Sequence, residues 1–422
     1  MHRETSALTA RTTSPKRCRF CDAELTRTFV DLGRSPLANS LLEVDDIDRS
    51  EPTYPLHVYV CEQCLLVQVQ ELASAANIFS DYLYFSSYSQ LWLDHCRDYA
   101  GRMVDRYRLD ASSLVVEIAS NDGYLLQYFK ERGIGVLGVE PAANVAKVAR
   151  DKGIATEVAF FGVETARRLR AAGKSADLMA ANNVLAHVPD LHDFVGGFKL
   201  LLKPAGTATL EFPHLLRLIK ENQFDTIYHE HFSYFSFHVV DRIFARHGLR
   251  IYDVDALPTH GGSLRIFVCH DDAPFPRAAR VADMIATEQA AGMDRIDGYA
   301  GFAKSVIDIK CELLGFLIDA RNAGKSVVGY GAPAKGNTLL NYCGVGPELL
   351  PYTVDISPHK QGRYLPGVQI PIHAPERIFE TKPDFVLILP WNIKEEIVER
   401  MAAIREWGGR FVVPIPKLSI LS

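Results

Sequence analysis

Residues 113–153 read SLVVEIASNDGYLLQYFKERGIGVLGVEPAANVAKVARDKG. An apolar run broken only by Glu117, Leu114 to Ile118, leads into a short turn and an amphipathic helical pattern. A second apolar strand then ends at Glu140, and another helical pattern follows. Short strands that are apolar throughout, alternating with helices, belong in a parallel sheet covered on both faces. This is the start of a doubly wound α/β domain, whose ligand sits at the carboxyl ends of the strands, against the first turn.

The turn itself narrows the ligand. Glu140, at the end of the second strand, is placed to take both hydroxyls of a ribose, with Pro141 beside it. Glu117 closes the first strand, and Asp122 and Gly123 suit a turn that must leave room for a cofactor tail. Ala119, Asn121 and Gly123 stand where a dinucleotide fingerprint would carry two or three glycines to seat a pyrophosphate. S-Adenosylmethionine (SAM) has no phosphate and tolerates that substitution. Further on, ADLMAANNVLAHVPDLHDFVGGFKLLLKPAGTATLEFP supplies a strand, a loop holding Asn182, Asn183 and His187, a helix, and a strand entered through KPAG. This is the order of a class I methyltransferase; an α/β domain whose asparagines merely make turns is the alternative.

Outward from this core, composition bounds the rest. At 422 residues, 48% of them hydrophobic and 23% charged, the chain exceeds what one core usually holds, so two or three domains are expected. A formal charge of −5 and no long Lys/Arg run give no footprint for nucleic acid or an acidic membrane. No apolar run reaches the ~20 residues that span a bilayer, and the start MHRETSALTARTTSPKRCRF has no apolar signal region, so a cytoplasmic protein is expected. Four of the eight cysteines form two matched pairs, Cys18/Cys21 in CRFC and Cys61/Cys64 in CEQC. Each CxxC knuckle aims two thiolates at one centre, and two knuckles complete a closed tetrahedral zinc site that holds structure. Two unrelated pairs or a redox dithiol are the alternatives. Cys96, Cys269, Cys311 and Cys343 read as buried free thiols.

CRFC…CEQC, VVEIASNDGYLL, GVEP, NNVLAHVPD, FDTIYHEHFSYFS, HGGSLR and GYGAPAKGNTLLNYCGVG stand in the order found in the SAM-dependent nucleotide-sugar C-methyltransferases, which this sequence closely resembles from residue 18 to 418. The resemblance implies a small N-terminal zinc module, a central class I SAM methyltransferase domain and a C-terminal Rossmann-like domain, together enclosing an NDP-4-keto-deoxysugar that is methylated at C3. The expected boundaries are 1–14 (disordered), 15–75 (zinc-binding), 76–250 (methyltransferase) and 251–422 (C-terminal, nucleotide-sugar-binding). His229 stands where antibiotic-pathway members of the family carry Asp, which leaves the Tyr–x–Glu–His pattern intact. The nucleotide (dTDP or GDP), the sugar and the choice between monomer and homodimer stay open.

Alkylating the carbon beside a ketone requires removal of a weakly acidic C–H and support for the resulting enolate. A histidine, with an unperturbed pKa near ~6.5, is a suitable base, and a tyrosine can donate to the enolate oxygen. His231 matches the family's base, with Tyr228 and Glu230 beside it. A metal site is disfavoured because His229 and His231, two apart, point to different sides, unlike the imidazoles of HExxH. His187 follows the strand that faces the cofactor, so it is expected near the sulfonium or the sugar. Tyr82, Tyr84 and Tyr88, in DYLYFSSYS, resemble the segment that lids the family's site, and Tyr82 is the one favoured to enter it.

The C-terminal third has its own motif. Gly329–Tyr330–Gly331–Ala332–Pro333–Ala334 follows a strand, and Asp355 ends the next one, which satisfies GxGxx(G/A) with a downstream acid. An NAD-dependent sugar-modifying enzyme is therefore the rival. Lys335 beside the turn suits a substrate diphosphate instead. Gly331, Lys335, Asn337, Asp355, Lys360 and Tyr364, with His260, Gly261 and Gly262 of HGGSLR, are the candidate substrate-binding positions. A zinc-ribbon protein that binds nucleic acid through a degenerate methyltransferase fold is the rival of another class; the acidic charge argues against it.

Overall fold

The computed structural model describes residues 16–71, 87 and 90–421. Three sheets organise them. Arg27–Ser35 (β1), Tyr54–Val60 (β2) and Val67–Val69 (β3) form an antiparallel meander after the first knuckle. The central sheet begins with Leu114–Ile118 (β4), Gly135–Val139 (β5), Thr156–Glu157 (β6), Ala176–Asn182 (β7) and Leu202–Pro213 (β8). Ser233–Tyr234 (β9) then leaves it and pairs with β3, making a fourth strand for the N-terminal sheet. Leu249–Leu257 (β10) and Ser263–His270 (β11) return to the central sheet.

The order across that sheet is β10-β11-β8-β7-β4-β5-β6. Strands β4 to β8 run parallel, while β11 is inserted antiparallel between β8 and β10. The expected boundary at 250/251 thus falls inside β10. The sheet closes only at His270, because a reversed hairpin completes its edge. Helices flank it as the alternation requires; Asp190 caps the one over Leu191–Leu201 by accepting from the N–H groups of His192 and Asp193, both at 3.0 Å.

Val327–Tyr330 (β12), Thr353–Val354 (β13), Ile372–His373 (β14), Phe385–Ile388 (β15), Arg410–Val413 (β16) and Ser419–Leu421 (β17) build the third sheet, in the order β14-β13-β12-β15-β16-β17. All its pairings are parallel except β16 with β17. One apolar core runs through the three sheets, from Phe29 and Val58 through Phe212 and Phe235 to Val328 and Val386. Among the described residues, no helix is long and apolar enough to cross a membrane.

Candidate active site

The turn after β4 has the backbone of a glycine-rich loop without the glycines. Ala119, Asn121 and Gly123 all take left-handed conformations, with φ of 57°, 48° and 78°. The turn approaches β5 so closely that a side chain at Gly138 would meet the Ser120 hydroxyl. Glu140 anchors it: one carboxylate oxygen accepts from the Asn121 N–H and the other from the Ala142 N–H, both at 2.9 Å. Each oxygen keeps a further lone pair that can accept from a ligand. Glu117 is fully buried, and neither of its oxygens has a well-formed hydrogen bond within the protein. Burial drives its carboxyl well above the ordinary range, partly countered by the nearby Tyr124 hydroxyl and reinforced by Asp122 and Glu140. Buried oxygens of Asp122, Asn182 and Asn183 also lack partners. Such a concentration of unsatisfied acceptors suits a cationic ligand rich in N–H and O–H donors. SAM, with its ammonium, sulfonium and ribose, is one.

At the other side of the crevice, the segment from Phe224 to His231 folds back on itself. His231 Nδ1 lies 2.9 Å from the Thr226 carbonyl and Nε2 2.9 Å from the Tyr228 hydroxyl. A carbonyl only accepts, so Nδ1 carries the proton and Nε2 the lone pair. His187 is held the same way, Nδ1 donating to the Glu230 carbonyl at 2.8 Å, and the two imidazoles meet edge to face at 4.7 Å between centroids. Burial, with His187 adding to it, holds His231 well below the usual imidazole value, and burial brings His187 to about 4. His229 turns away: its Nε2 faces the Pro55 carbonyl at 3.3 Å and its ring packs on Tyr54, so the two neighbouring histidines do not converge.

Glu230 is buried, and its two oxygens accept from a single amide nitrogen, Nδ2 of Asn39, at 2.7 and 2.8 Å. Burial raises its carboxyl to about 7, with Asn39 opposing the rise. Asn39 lies between β1 and β2 in the N-terminal module, and nothing in its local sequence singled it out.

Between the two sides stands a cluster that the sequence reading largely missed. Glu211 near the end of β8 and Arg265 on β11 face each other in register, both fully buried, and pair at 2.5 Å. His95 lies 3.1 Å from Glu211, and Thr259 donates to its other oxygen at 2.7 Å. The hydrogen bond from His95, the Arg265 charge and the Thr259 hydroxyl overcome the burial and hold Glu211 at about 2. His260 adopts a left-handed backbone (φ 54°), accepts from Asn183 Nδ2 at 3.1 Å and packs on Trp92, which also stacks on His95. Burial brings His260 to about 4.

The C-terminal candidates divide. A side chain at Gly331 would come within 2.5 Å of Pro390, so this glycine serves close packing of the turn. Asp355 accepts from the N–H groups of Ala332 and Ser357, both at 2.8 Å, and Lys360 donates to the Ala332 carbonyl at 2.8 Å. Asn337 is buried within its helix, bonded to Asn341. The backbone of Tyr364 pairs with Leu42 of the N-terminal module. Gly261 accommodates the ring of Trp391, and Gly262 the side chain of Arg217. Lys335 alone turns toward the base, through contacts described below. Tyr82, Tyr84 and Tyr88 lie outside the described residues.

Away from the crevice, the Sγ atoms of Cys18, Cys21, Cys61 and Cys64 all lie within 4.8 Å of one another, with Cys18–Cys64 at 3.4 Å and Cys21–Cys61 at 3.5 Å. Zn–S bonds of ~2.3 Å put tetrahedral S···S edges near ~3.8 Å, so the four thiolates fit a closed zinc site. Gln68 donates to Cys18 Sγ at 3.1 Å, the support that a thiolate ligand uses. Of the other cysteines, Cys96, Cys269 and Cys343 are buried, whereas Cys311 is exposed.

Comparison with known proteins gives three consecutive family matches: a zinc binding domain over residues 18–79, a methyltransferase domain over 92–254 and a C-methyltransferase C-terminal domain over 258–416. The C-methyltransferase NovU of Streptomyces niveus is 37% identical over 405 residues, which are 96% of this chain and 96% of that one. Similar solved structures include magnesium protoporphyrin IX methyltransferase (ChlM) of Synechocystis PCC 6803 with bound SAM, 14% identical, covering 42% of this chain and 79% of that one with a TM-score of 0.33. The PH0226 protein of Pyrococcus horikoshii OT3 is 15% identical over 46% of this chain and 97% of that one, with a TM-score of 0.37.

Proposed function

The chain belongs to the SAM-dependent C-methyltransferases, and from that membership we propose that it methylates C3 of a dTDP- or GDP-linked 4-keto-deoxysugar. SAM and a structural zinc ion are its cofactors. When bound, SAM supplies an electrophilic methyl group. Glu140 would take the ribose hydroxyls and Glu117 the ammonium, with Asp122, Asn182 and Asn183 accepting the remaining donors. A small substrate in the crevice, and no nucleic acid, is the partner this reading requires.

The observation that carries the reading is the fixed tautomer of His231. With Nδ1–H committed to the Thr226 carbonyl, the Nε2 lone pair accepts from the Tyr228 hydroxyl. His231 removes the C3 proton at Nε2. The bond to Tyr228 must open for this, which frees that hydroxyl to donate to the ketone oxygen. Glu230, with its carboxyl near neutrality, and His187, its Nε2 unprotonated, carry the proton onward.

The base must be neutral, and its depressed pKa keeps it so at lower pH than an exposed histidine. The acid limb of the rate is therefore expected well under the unperturbed ~6.5. His231→Asn should abolish both methylation and the exchange of the C3 hydrogen with deuterium in the presence of S-adenosylhomocysteine, while SAM binding survives. Near wild-type exchange in this variant would show that Tyr228–His231 is scaffolding and overturn the reading.

A further inference from the structure

Lys335 opens the helix Ala334–Cys343, which packs on the turn Phe224–Thr226 just before the base. One turn further along, the Thr338 hydroxyl donates to the Ile227 carbonyl at 3.1 Å. The ammonium of Lys335 donates to Asn392 Oδ1 at 2.7 Å and lies 4.5 Å from the centroid of the Trp391 ring. Among the described residues it forms no close ion pair: the partly buried ammonium rests on one neutral oxygen and an aromatic face, with the Asp225 carboxylate as its charged neighbour. Asp225, held on the Trp391 indole, offsets part of that charge without a direct ion pair, which leaves the ammonium able to meet a developing anion in the crevice.

Trp391 fixes where that charge stands. Its indole N–H donates to Asp225 Oδ2 at 2.6 Å, and its six-membered ring fills the place of a side chain at Gly261, reaching within 2.6 Å of it. Asp225 precedes Thr226, whose carbonyl orients His231, and Gly261 follows His260, which is bonded to Asn183. Lys335 is thus clamped between the two central-domain stretches at the base end of the crevice. Its charge depresses the protonation of both His231 and His260. A diphosphate is usually met by a cluster of free backbone N–H groups or several cations. The adjacent turn offers little of this: Pro390 fills its bend and Asp355 takes the Ala332 N–H.

We infer that Lys335 is a catalytic residue which the C-terminal domain lends to the central site, its ammonium facing the ketone oxygen of the sugar. This inference rests on the function proposed above. The C3–H bond breaks, its proton passes to His231 Nε2, and the electron pair spreads onto the C4 oxygen. Lys335 offsets that negative charge until C3 takes the methyl group, whose bond to the sulfonium sulfur would break to leave S-adenosylhomocysteine, and the carbonyl returns. Asp225 and Trp391 are positioning residues that hold the ammonium in place.

The test uses full-length, zinc-loaded protein and two readouts: calorimetric affinity for dTDP and GDP alone, and C3 hydrogen–deuterium exchange of dTDP- and GDP-linked 4-keto-6-deoxyhexoses with S-adenosylhomocysteine present. Lys335→Met should slow exchange by roughly 10²–10³-fold, leave nucleoside diphosphate affinity within about twofold of wild type, and be partly rescued by Lys335→Arg. A tenfold loss of diphosphate affinity with exchange intact would make Lys335 a phosphate handle and overturn the inference. Should Lys335→Met fail to bind SAM, Asn392→Ala keeps the charge but removes its tether. Slower exchange in that variant supports the inference, and unchanged exchange overturns it. A wild-type protein that exchanges no 4-ketosugar would instead reject the functional reading, and the inference with it.

Discussion

Two βα turns in this molecule invite the same reading and behave oppositely. The turn after β12 carries the glycines of a nucleotide fingerprint, yet the protein's own atoms occupy it: Pro390 against Gly331, Asp355 on the Ala332 N–H, Lys360 on the Ala332 carbonyl. The turn after β4 lacks those glycines, yet it holds left-handed backbone at Ala119 and Asn121 and surrounds itself with buried acceptors that have no partner. Glycine in a motif permits a backbone shape. Whether the space it leaves is empty depends on the rest of the fold, and strained residues that are not glycine are the stronger sign of a ligand.

The contrast can be broken experimentally. The largest effect should separate Glu140 from Asp355, the acids at matching places after the second strand of each unit. Glu140→Ala removes two charge-assisted hydrogen bonds of ~1.5–3 kcal/mol each, so SAM affinity measured by calorimetry should fall by about 10²-fold or more. Asp355→Ala should leave it unchanged. Equal losses in both variants would mean that the two turns are not distinct. Next, Gly331→Ala should cost roughly 1–3 kcal/mol of stability, because its φ of 92° and the nearness of Pro390 both resist a methyl group, with SAM affinity preserved. A fall in melting temperature without a change in affinity checks this. The smallest effect is the mirror substitution. Ala119→Gly relieves a left-handed alanine but loosens the unfolded chain, so stability should shift by less than ~1 kcal/mol in either direction. A large loss of SAM affinity in that variant would show that the Ala119 methyl itself contacts the cofactor.

The same contrast shows what the sequence could disclose. Apolar strands separated by helical patterns disclose the doubly wound order, because burial on both faces leaves no room for alternation, and the spacing of the CxxC pairs discloses the metal cluster. His229 and His231 diverge as residues two apart should. Glu211 in TLEFP and Arg265 in SLRIF were legible in principle, since a lone charge inside an apolar strand demands a partner, and the two proved to be cross-strand neighbours. Asn39, Asp225 and Trp391 were not. Each matters through a contact with a segment remote in the chain, and a local pattern holds no trace of that. The low pKa of His231 was hidden for the same reason: it owes its surroundings to residues remote in the chain, among them His187 and Lys335. It has a counterpart in stability. His187, His231 and His260 are neutral when folded and bind protons more readily when unfolded, so the stability they permit above ~6.5 drains away as pH falls toward about 4.

Strand β9 has a consequence for how the molecule comes into being. The N-terminal sheet acquires its fourth strand from Ser233–Tyr234, immediately after the YHEH segment. During vectorial synthesis the cysteines can gather their zinc early, but β3 keeps a bare edge until five of the seven central strands, β4 to β8, have left the ribosome. The metal module is therefore the first part of the chain to start folding, yet its sheet is completed only after strands β4 to β8 of the central sheet have been made. Docking of β9 finishes it and anchors the chain two residues beyond His231.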